Sequence, residues 1–224
     1  MTAVENILRV YAQVDAIDRE EGLLAYPRYR ESLMYYAVRY RLPFANVVGA
    51  FVALSPNNDY MGNLRSLVTI LEGLRHSRRV EDCTVSTYKA CRDRAWTFLL
   101  GTDFLATTKG KKTRNFYQNI FNPDDPNPVT IDGHMACIYV GKRMTMKEVV
   151  RSRFKYDEVA EAFRTVAYDV DLLPCQLQAM LLFTWKRINN VIYSAQLDVF
   201  AGDNQWGTRI DPSRIRPFPI RGVR

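Results

Sequence analysis

A lysine and an aspartate twenty positions apart, Lys112 and Asp132, stand out in the stretch between Gly110 and Met135. An unprotonated lysine amine is a nucleophile, and a carboxylate stabilises positive charge that develops on a reacting substrate. Each residue also has a simpler interpretation, because lysines are common in solvated turns and aspartate is a good first residue for a helix. The two residues are therefore either a catalytic pair or two ordinary helix ends.

The lysine lies in a basic turn that leads into a helix. Four cations surround Gly110: Lys109, Lys111, Lys112 and Arg114. Helical spacing then continues from Thr113 onward. A glycine turn before a helix presents free backbone N–H groups and the positive end of the helix dipole, which suit a phosphate. A solvated basic turn contains the same residues, and spacing alone does not separate the two interpretations.

The aspartate precedes an apolar run that includes Met135, Ile138 and Val140, so it occupies the position of a helix N-cap. A capping role does not exclude catalysis, because a carboxylate at a helix start can also stabilise a cation on a substrate in a cleft. We therefore expect Asp132 to cap a helix and keep it as a candidate catalytic carboxylate.

The composition sets the class of protein. The chain has 224 residues, of which 47% are apolar and 12% aromatic, enough to bury one large domain or two small lobes. The longest uncharged stretches, 42–58 and 172–185, are shorter than the roughly eighteen apolar residues of a bilayer span. Glu5 lies where a signal peptide carries lysines. The sequence therefore predicts a soluble, cytoplasmic protein without membrane association.

The chain is poor in metal ligands. It has two histidines, His76 and His134, and four cysteines that form no Cys-x-x-Cys pair. These residues argue against a zinc site, an iron–sulfur cluster or a disulfide framework, and we expect no metal and no cofactor. The net charge of +7 is compatible with a polyanionic partner.

The dominant sequence period is helical, and no stretch alternates with the period of two that marks a strand. Ser86 is placed to cap a helix that Gly101 closes. Further helical patterns cover these stretches: 4–14, 33–40, 44–54, 59–71, 113–120, 132–141, 147–168 and 174–193. The sequence thus predicts an all-α protein. Residues 198–224, with five arginines, predict an irregular basic tail whose contact with DNA stays open.

Two segments, GKKTRNFYQNI and VTIDGHM, together resemble the signature of the helix-hairpin-helix DNA glycosylase superfamily, the group that contains endonuclease III. In that family a hairpin ending in Gly-x-Lys-Thr leads into a helix, and a Val-Asp-Thr-His or similar segment then brings the catalytic aspartate. The residues that fall on this pattern are Gly110, Lys112, Thr113, Asp132 and His134.

A second match lies upstream. The segment ALSPNNDYMGNL, residues 53–64, resembles the family's Leu-Ser-x-Gln segment, which opens the helix beside the DNA. Asn57 occupies the place of the intercalating glutamine. The hairpin itself departs from the family pattern, because 106–110 read Ala-Thr-Thr-Lys-Gly in place of Leu-Pro-Gly-x-Gly. The loop NPDDPNP is a local insertion, and the iron–sulfur cysteines are absent. These differences favour a compact phage-type member, which would act in the host cytoplasm.

The resemblance implies two helical lobes with a cleft between them, and we expect a monomer. One lobe, residues 43–129, carries the helix-hairpin-helix motif. Residues 1–42 and 130–197 form the second lobe, and 198–224 form the basic tail. The same resemblance places Asp132 at the cleft.

The implied activity is base excision from double-stranded DNA that carries a modified or damaged base, flipped into a pocket. By the same resemblance, Asp132 stabilises oxocarbenium character at the sugar, and the amine of Lys112 attacks the anomeric carbon, displaces the base and forms a Schiff base, which adds AP lyase activity. With Lys112 as a phosphate clamp, water is the nucleophile. The DNA-binding candidates are Lys109, Gly110, Lys111, Thr113, Arg114, Asn57 and Asn58. The pocket candidates are Tyr35, Tyr36, Tyr60 and His134.

Two alternatives to a DNA glycosylase stay open. A branch of the same superfamily resembles phage enzymes of thymine hypermodification, which transfer groups onto a base without cutting its glycosidic bond. A non-catalytic protein could also use the hairpin for DNA binding alone. The retained Lys112 and Asp132 favour the glycosylase.

Overall fold

The computed structural model describes residues 1–152 and 154–191, apart from the side chains at positions 146 and 150. Over these residues the protein is all-helical and contains no strand, so the predicted all-α class is confirmed. A 3₁₀ helix spans Val80–Asp82. The α-helices are α1 (Ala3–Tyr11), α2 (Ala16–Tyr40), α3 (Phe44–Ala53), α4 (Tyr60–Arg75), α5 (Lys89–Leu99), α6 (Phe104–Thr107), α7 (Lys111–Phe121), α8 (Gly133–Val140), α9 (Met146–Arg151), α10 (Tyr156–Asp169) and α11 (Pro174–Ile188).

Three helices differ from the sequence-based expectation. Helix α2 runs for 25 residues through the exposed Pro27, where only 33–40 had a clear pattern. The predicted helix 147–168 is two helices, α9 and α10. The predicted cap Ser86 was wrong, because α5 starts at Lys89 and the Ser86 hydroxyl bonds elsewhere. In the described ranges no helix combines the length and apolar character that crossing a bilayer requires.

The described residues form two compact units. The first contains residues 1–30 and 108–191, and the second contains 31–107. These bounds differ from the predicted lobes, since α7 falls in the same unit as Asp132. Side chains of α7 explain the difference: Asn115 Nδ2 donates to the Val129 carbonyl at 3.0 Å, and Asn119 Nδ2 donates to Thr130 Oγ1 at 2.9 Å. The predicted residues 192–197 and the basic tail lie outside the described part.

The first unit is built around an apolar core between α1, α8, α10 and α11. The fully buried members include Ile7, Met135, Phe163 and Leu181, and Trp185 belongs to the same core. Beside this core lies a buried carboxylate, Asp18, which is satisfied by ion pairing. Its Oδ2 accepts a bond from Arg187 Nη2 at 2.6 Å and another from Thr184 Oγ1 at 2.9 Å, joining the start of α2 to the end of α11.

The second unit packs α3 against α4, α5 and α6. Helix α3 is apolar on nearly every side, and all residues from 47 to 53 are buried, which explains its lack of a polar face. A Cβ added at Gly73 in α4 would lie 2.3 Å from the buried Cys83 sulfur, so glycine permits this close approach. Asp59, where the helical pattern 59–71 begins, caps α4, since its Oδ1 accepts a bond from Gly62 N at 2.6 Å.

Candidate functional site

Asp132 caps α8, as the sequence indicated. Its Oδ1 accepts the backbone N–H groups of His134 at 2.8 Å and Met135 at 3.0 Å. Gly141, in the left-handed region with φ 80, ends the same helix. The carboxylate is half-buried, and no hydrogen bond from the described residues ends on Oδ2. One oxygen therefore fixes the side chain to the helix, and the other keeps its lone pairs for a ligand.

The segment before Asp132 is fixed by the hydroxyl of Tyr156. This O–H donates to the Val129 carbonyl at 2.7 Å and accepts from Ile131 N at 3.1 Å and Asn115 Nδ2 at 3.0 Å. A phenol has one proton and two acceptor sites, so its capacity is fully used. Burial raises the pKa of Tyr156, which favours the neutral form that donates to the carbonyl. Tyr156 thus connects α7, α10 and the segment that ends at Asp132.

Behind this segment lies a buried polar group. Asn119 and Thr130 bond to each other, and the Tyr26 hydroxyl donates to Gln178 Oε1 at 2.7 Å. Burial strongly raises the pKa of Tyr26. All four side chains are buried, and Asn119 Oδ1 has no hydrogen-bond partner among the described residues. The segment before Asp132 is therefore held by a buried side-chain bond at Thr130 in addition to the partly buried bonds of Tyr156.

The start of α7 presents uncapped backbone donors. Gly110 holds the N-cap position, and no side chain caps the helix there. Two nearby cations are engaged within the first unit: Lys111 Nζ pairs with Asp157, and Arg114 Nη1 donates to the Thr108 carbonyl at 2.9 Å. Lys112 is exposed and makes no hydrogen bond or ion pair with the described residues. Lys111 and Lys112 therefore differ in what their amines contact.

His134 is half-buried, lies two positions after Asp132, and has a pKa that responds to several nearby charges. Burial lowers its pKa, and the cations Lys186, Lys112 and Arg143 lower it further, whereas Asp132 acts in the opposite direction. A lowered pKa favours the neutral imidazole, which can both donate and accept a hydrogen bond. The charges of Asp132 and Lys112, two of the predicted residues, thus act on His134, as do those of Lys186 and Arg143.

In the second unit, Asn57 is exposed at the tip of the loop between α3 and α4. Its backbone is left-handed, with φ 54, and its Nδ2 donates to the hydroxyl of Tyr88. The Tyr88 ring is 57% exposed, which is unusual for a large aromatic side chain. Asn57 and Tyr88 therefore form one exposed polar and aromatic pair, of which the sequence indicated only Asn57.

The loop of Asn57 is attached to residues 86–88 by further hydrogen bonds. Ser86 Oγ donates to Asn58 Oδ1 at 2.9 Å and lies 2.9 Å from Ser66 Oγ. Thr87 Oγ1 donates to the Pro56 carbonyl at 2.5 Å. We call residues 55–59 and 86–88 the paired loops. Asn58, a predicted DNA-binding residue, thus has a structural role inside them.

The predicted pocket tyrosines also lie in the second unit. Tyr36 and Tyr60 are buried, burial raises the pKa of both, and Tyr60 OH bonds Ser32 Oγ at 3.1 Å. Tyr35 is half-buried and packs edge-on against Tyr36 at 5.2 Å between ring centroids. Its hydroxyl accepts a bond from Arg39 Nη1 at 2.9 Å. Of the three, Tyr35 has the greatest exposure to solvent.

Metal and thiol chemistry receive no support from these residues. Across 1–152 and 154–191 there is no group of three or more His, Cys, Asp or Glu side chains that could hold a metal ion. The four cysteines are free thiols. Burial raises the pKa of Cys175 to about 11 and also raises that of Cys83 and Cys137, which keeps these thiols protonated at neutral pH.

Comparison with known proteins gives one match. The model of a family described as "Family of unknown function (DUF7178)" matches residues 1–190. No curated protein and no solved structure matches the chain. The matched range contains α1 to α11, and therefore every residue of the site around Asp132 and of the paired loops.

Proposed function

The chain belongs to this family of unknown function, DUF7178, and we propose that it is a DNA base-excision glycosylase that acts on double-stranded DNA carrying a modified or damaged base. The observation that carries the proposal is the environment of Asp132. Its carboxylate has one oxygen committed to the α8 cap and one without a hydrogen-bond partner among the described residues, in the same unit as the exposed Lys112. The helix-hairpin-helix organisation is part of this proposal.

Asp132 is the group that stabilises the transition state. When the glycosidic bond breaks, positive charge develops at the sugar, and a fixed carboxylate lowers the energy of that charge. The cap and the Tyr156 hydroxyl fix its position before substrate binds. Fixation matters because a displacement of about 1 Å at a reacting group costs about a hundredfold in rate.

Lys112 is the candidate nucleophile of the bifunctional mechanism. Lys111, its neighbour, has its amine paired with Asp157, whereas Lys112 makes no such pair with the described residues. The charge of Lys112 acts on His134, next to Asp132. These contacts favour Lys112 over Lys111. Its amine attacks the anomeric carbon as the bond to the base breaks, and the resulting Schiff base supports AP lyase cleavage.

Duplex DNA is the proposed partner. The uncapped N-terminus of α7 offers backbone N–H groups for a phosphate, and the cations beside it add charge. The exposed pair of Asn57 and Tyr88 suits insertion at a base vacancy, since an aromatic face stacks on any base. Tyr35, Tyr36, Tyr60 and His134 remain the candidates for the pocket of the flipped base.

The test uses a panel of duplexes, each with one modified or mismatched base. The protein is incubated with each duplex, and free base, altered base and DNA retention are scored separately. Release of free base from at least one duplex is expected. An altered base that stays attached would instead identify the hypermodification transferase, and retention without any chemical change would identify a DNA-binding protein.

Asp132→Asn is the matched variant for this panel. Asparagine keeps the capping acceptor, so the thermal midpoint should hardly change. The negative charge is lost, so single-turnover base release should fall by at least about a hundredfold, while DNA affinity stays equal or rises. Full activity in Asp132→Asn would remove the catalytic assignment.

A further inference from the structure

The positive charge of the chain is concentrated in two short stretches. The whole chain has 31 basic and 24 acidic residues. Residues 109–114 hold four cations and no acid, and residues 142–155 hold six cations and one acid. Outside these two stretches there are 21 basic and 23 acidic residues, so the excess of basic over acidic residues arises entirely within them. The first stretch is the start of α7, and the second has no role in the proposed chemistry apart from Arg143.

The second stretch, here called the basic segment (residues 142–155), runs from the end of α8 through α9 to the start of α10. Its exposed cations are Lys142, Arg143, Lys147, Arg151 and Lys155. Its one acid, Glu148, is occupied by a capping box, where Oε2 accepts from Thr145 N at 2.6 Å and from Thr145 Oγ1 at 2.8 Å. Among the described residues, the segment's ion pairing is limited to Lys155 with Glu158.

The apolar side chains of the basic segment point to the kind of partner. Met144, Val149 and Phe154 pack against the core of the first unit, so they are not available as anchors for a lipid bilayer. Peripheral membrane segments combine cations with outward Trp, Phe or Leu side chains. A phosphate backbone requires cations alone. Among the side chains that the structure describes, the segment exposes cations and no large apolar anchor, which fits a nucleic acid better than a membrane.

We propose that the basic segment is a second phosphate-binding surface for duplex DNA, formed by chain positions separate from the start of α7. The identity of the duplex rests on the proposed function. The segment binds the DNA backbone without reading sequence, adds to affinity by releasing counterions, and supplies no group to base release.

The test is the salt dependence of duplex binding in the triple variant Lys142→Gln/Lys147→Gln/Arg151→Gln. Arg143 is left in place because its charge acts on His134. The slope of log K against log salt is negative, and each lost phosphate contact lowers its magnitude by about 0.9. A decrease of about 2 to 3 is therefore expected from these three substitutions. Single-turnover base release at saturating DNA should be unchanged, and thermal unfolding checks that the variant is folded.

The control is Arg65→Gln/Arg78→Gln/Arg94→Gln, which removes the same charge from exposed positions of the second unit. This control should keep the wild-type slope. Equal slopes in both triple variants would overturn the proposal. So would loss of binding to vesicles containing anionic lipid while duplex binding is kept, because that result identifies a membrane surface.

The glycosylase proposal and the proposal of a second phosphate-binding surface can be refuted independently. In one outcome, the wild-type protein releases no base from any duplex while the salt slope of duplex binding becomes shallower only in the triple variant of the basic segment. In that case the glycosylase proposal is wrong and the phosphate-surface proposal stands. If base release occurs and the slopes are equal, the glycosylase stands and the phosphate surface is wrong.

Discussion

The two regions that carry candidate residues are fixed by hydrogen bonds of different kinds. In the first unit, the backbone before Asp132 is held by Tyr156 and Asn119, through bonds that are wholly or partly buried. In the second, the loop of Asn57 is held by Ser86 and Thr87, whose bonds to it are exposed. Losing a buried partner leaves an orphaned group and costs about 1–3 kcal/mol, whereas water replaces an exposed partner.

Buried hydrogen bonds around Asp132 and exposed hydrogen bonds around Asn57 suit two different tasks, catalysis and DNA contact. A group that stabilises a transition state has to be positioned before substrate arrives, which buried hydrogen bonds achieve. A surface that meets DNA gains from some adjustment, because partner side chains commonly change rotamer on binding. We therefore expect substitutions in the first region to change rate and stability, and substitutions in the paired loops to change mainly affinity.

The largest effect is expected at the start of α7. Borohydride should trap a covalent protein–DNA adduct during turnover of the wild-type protein, and Lys112→Gln should eliminate the adduct, because the nucleophilic amine is gone. Lys111→Gln is the matched control: it removes an exposed ion pair with Asp157, typically worth less than about 1 kcal/mol.

Two outcomes would change the assignment of Lys112. An adduct that persists in Lys112→Gln and disappears in Lys111→Gln would make Lys111 the nucleophile. Free base without any adduct in the wild-type protein would make Lys112 a phosphate clamp, with water attacking the sugar.

The next largest effect is expected for Tyr156→Phe. Losing the hydroxyl leaves Ile131 N–H without this acceptor and should cost about 1–3 kcal/mol in unfolding free energy. A resulting displacement of Asp132 should lower kcat by up to about a hundredfold, with KM little changed. Tyr139→Phe is the control, since the half-buried Tyr139 hydroxyl has no partner among the described residues. An unchanged kcat in Tyr156→Phe would show that the tyrosine is structural only.

A smaller effect concerns pH. Burial lowers the pKa of His134 in the folded state below its usual value of 6.5, and nearby cations add to the shift. The unfolded chain therefore binds the proton more tightly, so His134 destabilises the fold as pH falls below about 6.5. When the pH is lowered from above to below that value, the thermal midpoint should therefore fall less in His134→Asn than in the wild-type protein. His76→Asn, at an exposed histidine of the second unit, is the control, and equal behaviour of both variants would contradict the expectation.

The smallest effect is expected in the paired loops. Ser86→Ala removes the exposed bond to Asn58, while the buried Ser66 hydroxyl keeps its own bond to the Gly62 carbonyl. The unfolding free energy should therefore change by less than about 1 kcal/mol, and duplex affinity should fall only modestly. Thr69→Ala, whose hydroxyl bonds within its own helix, provides the baseline. A cost in Ser86→Ala equal to that of Tyr156→Phe would remove the distinction between the two regions.

Local signals in the sequence were sufficient to predict the all-α class and part of the site. Asp132 was identified as a cap because it precedes a helical pattern and acts on backbone groups within three residues. The same reasoning failed for Ser86. Its hydroxyl bonds Asn58, 28 positions away, and lies close to the hydroxyl of Ser66, 20 positions away. A capping residue can be predicted only where no distant partner competes for its side chain.

Residues that act through distant partners were not predictable. Tyr156 bonds to backbone groups 25 and 27 positions earlier, and nothing in its neighbourhood distinguishes it from a core tyrosine. Nor does a glycine or proline mark the break between α9 and α10. The unit boundaries were missed for a related reason, because side chains of α7 connect it to the segment before Asp132.

The division of the first unit into two chain stretches, described above, has a consequence for biosynthesis. Helix α1 packs against α8, α10 and α11, so its partners are translated more than a hundred residues later. The described part of the second unit, 31–107, is one continuous stretch and can complete its contacts while the ribosome is still synthesising α8. We expect nascent chains stalled after α9 to protect the second unit from proteases and to leave α1 open to cleavage, because α10 and α11 have not yet been synthesised. Helix α1, which is translated before the other described helices, is thus among the last of them to pack.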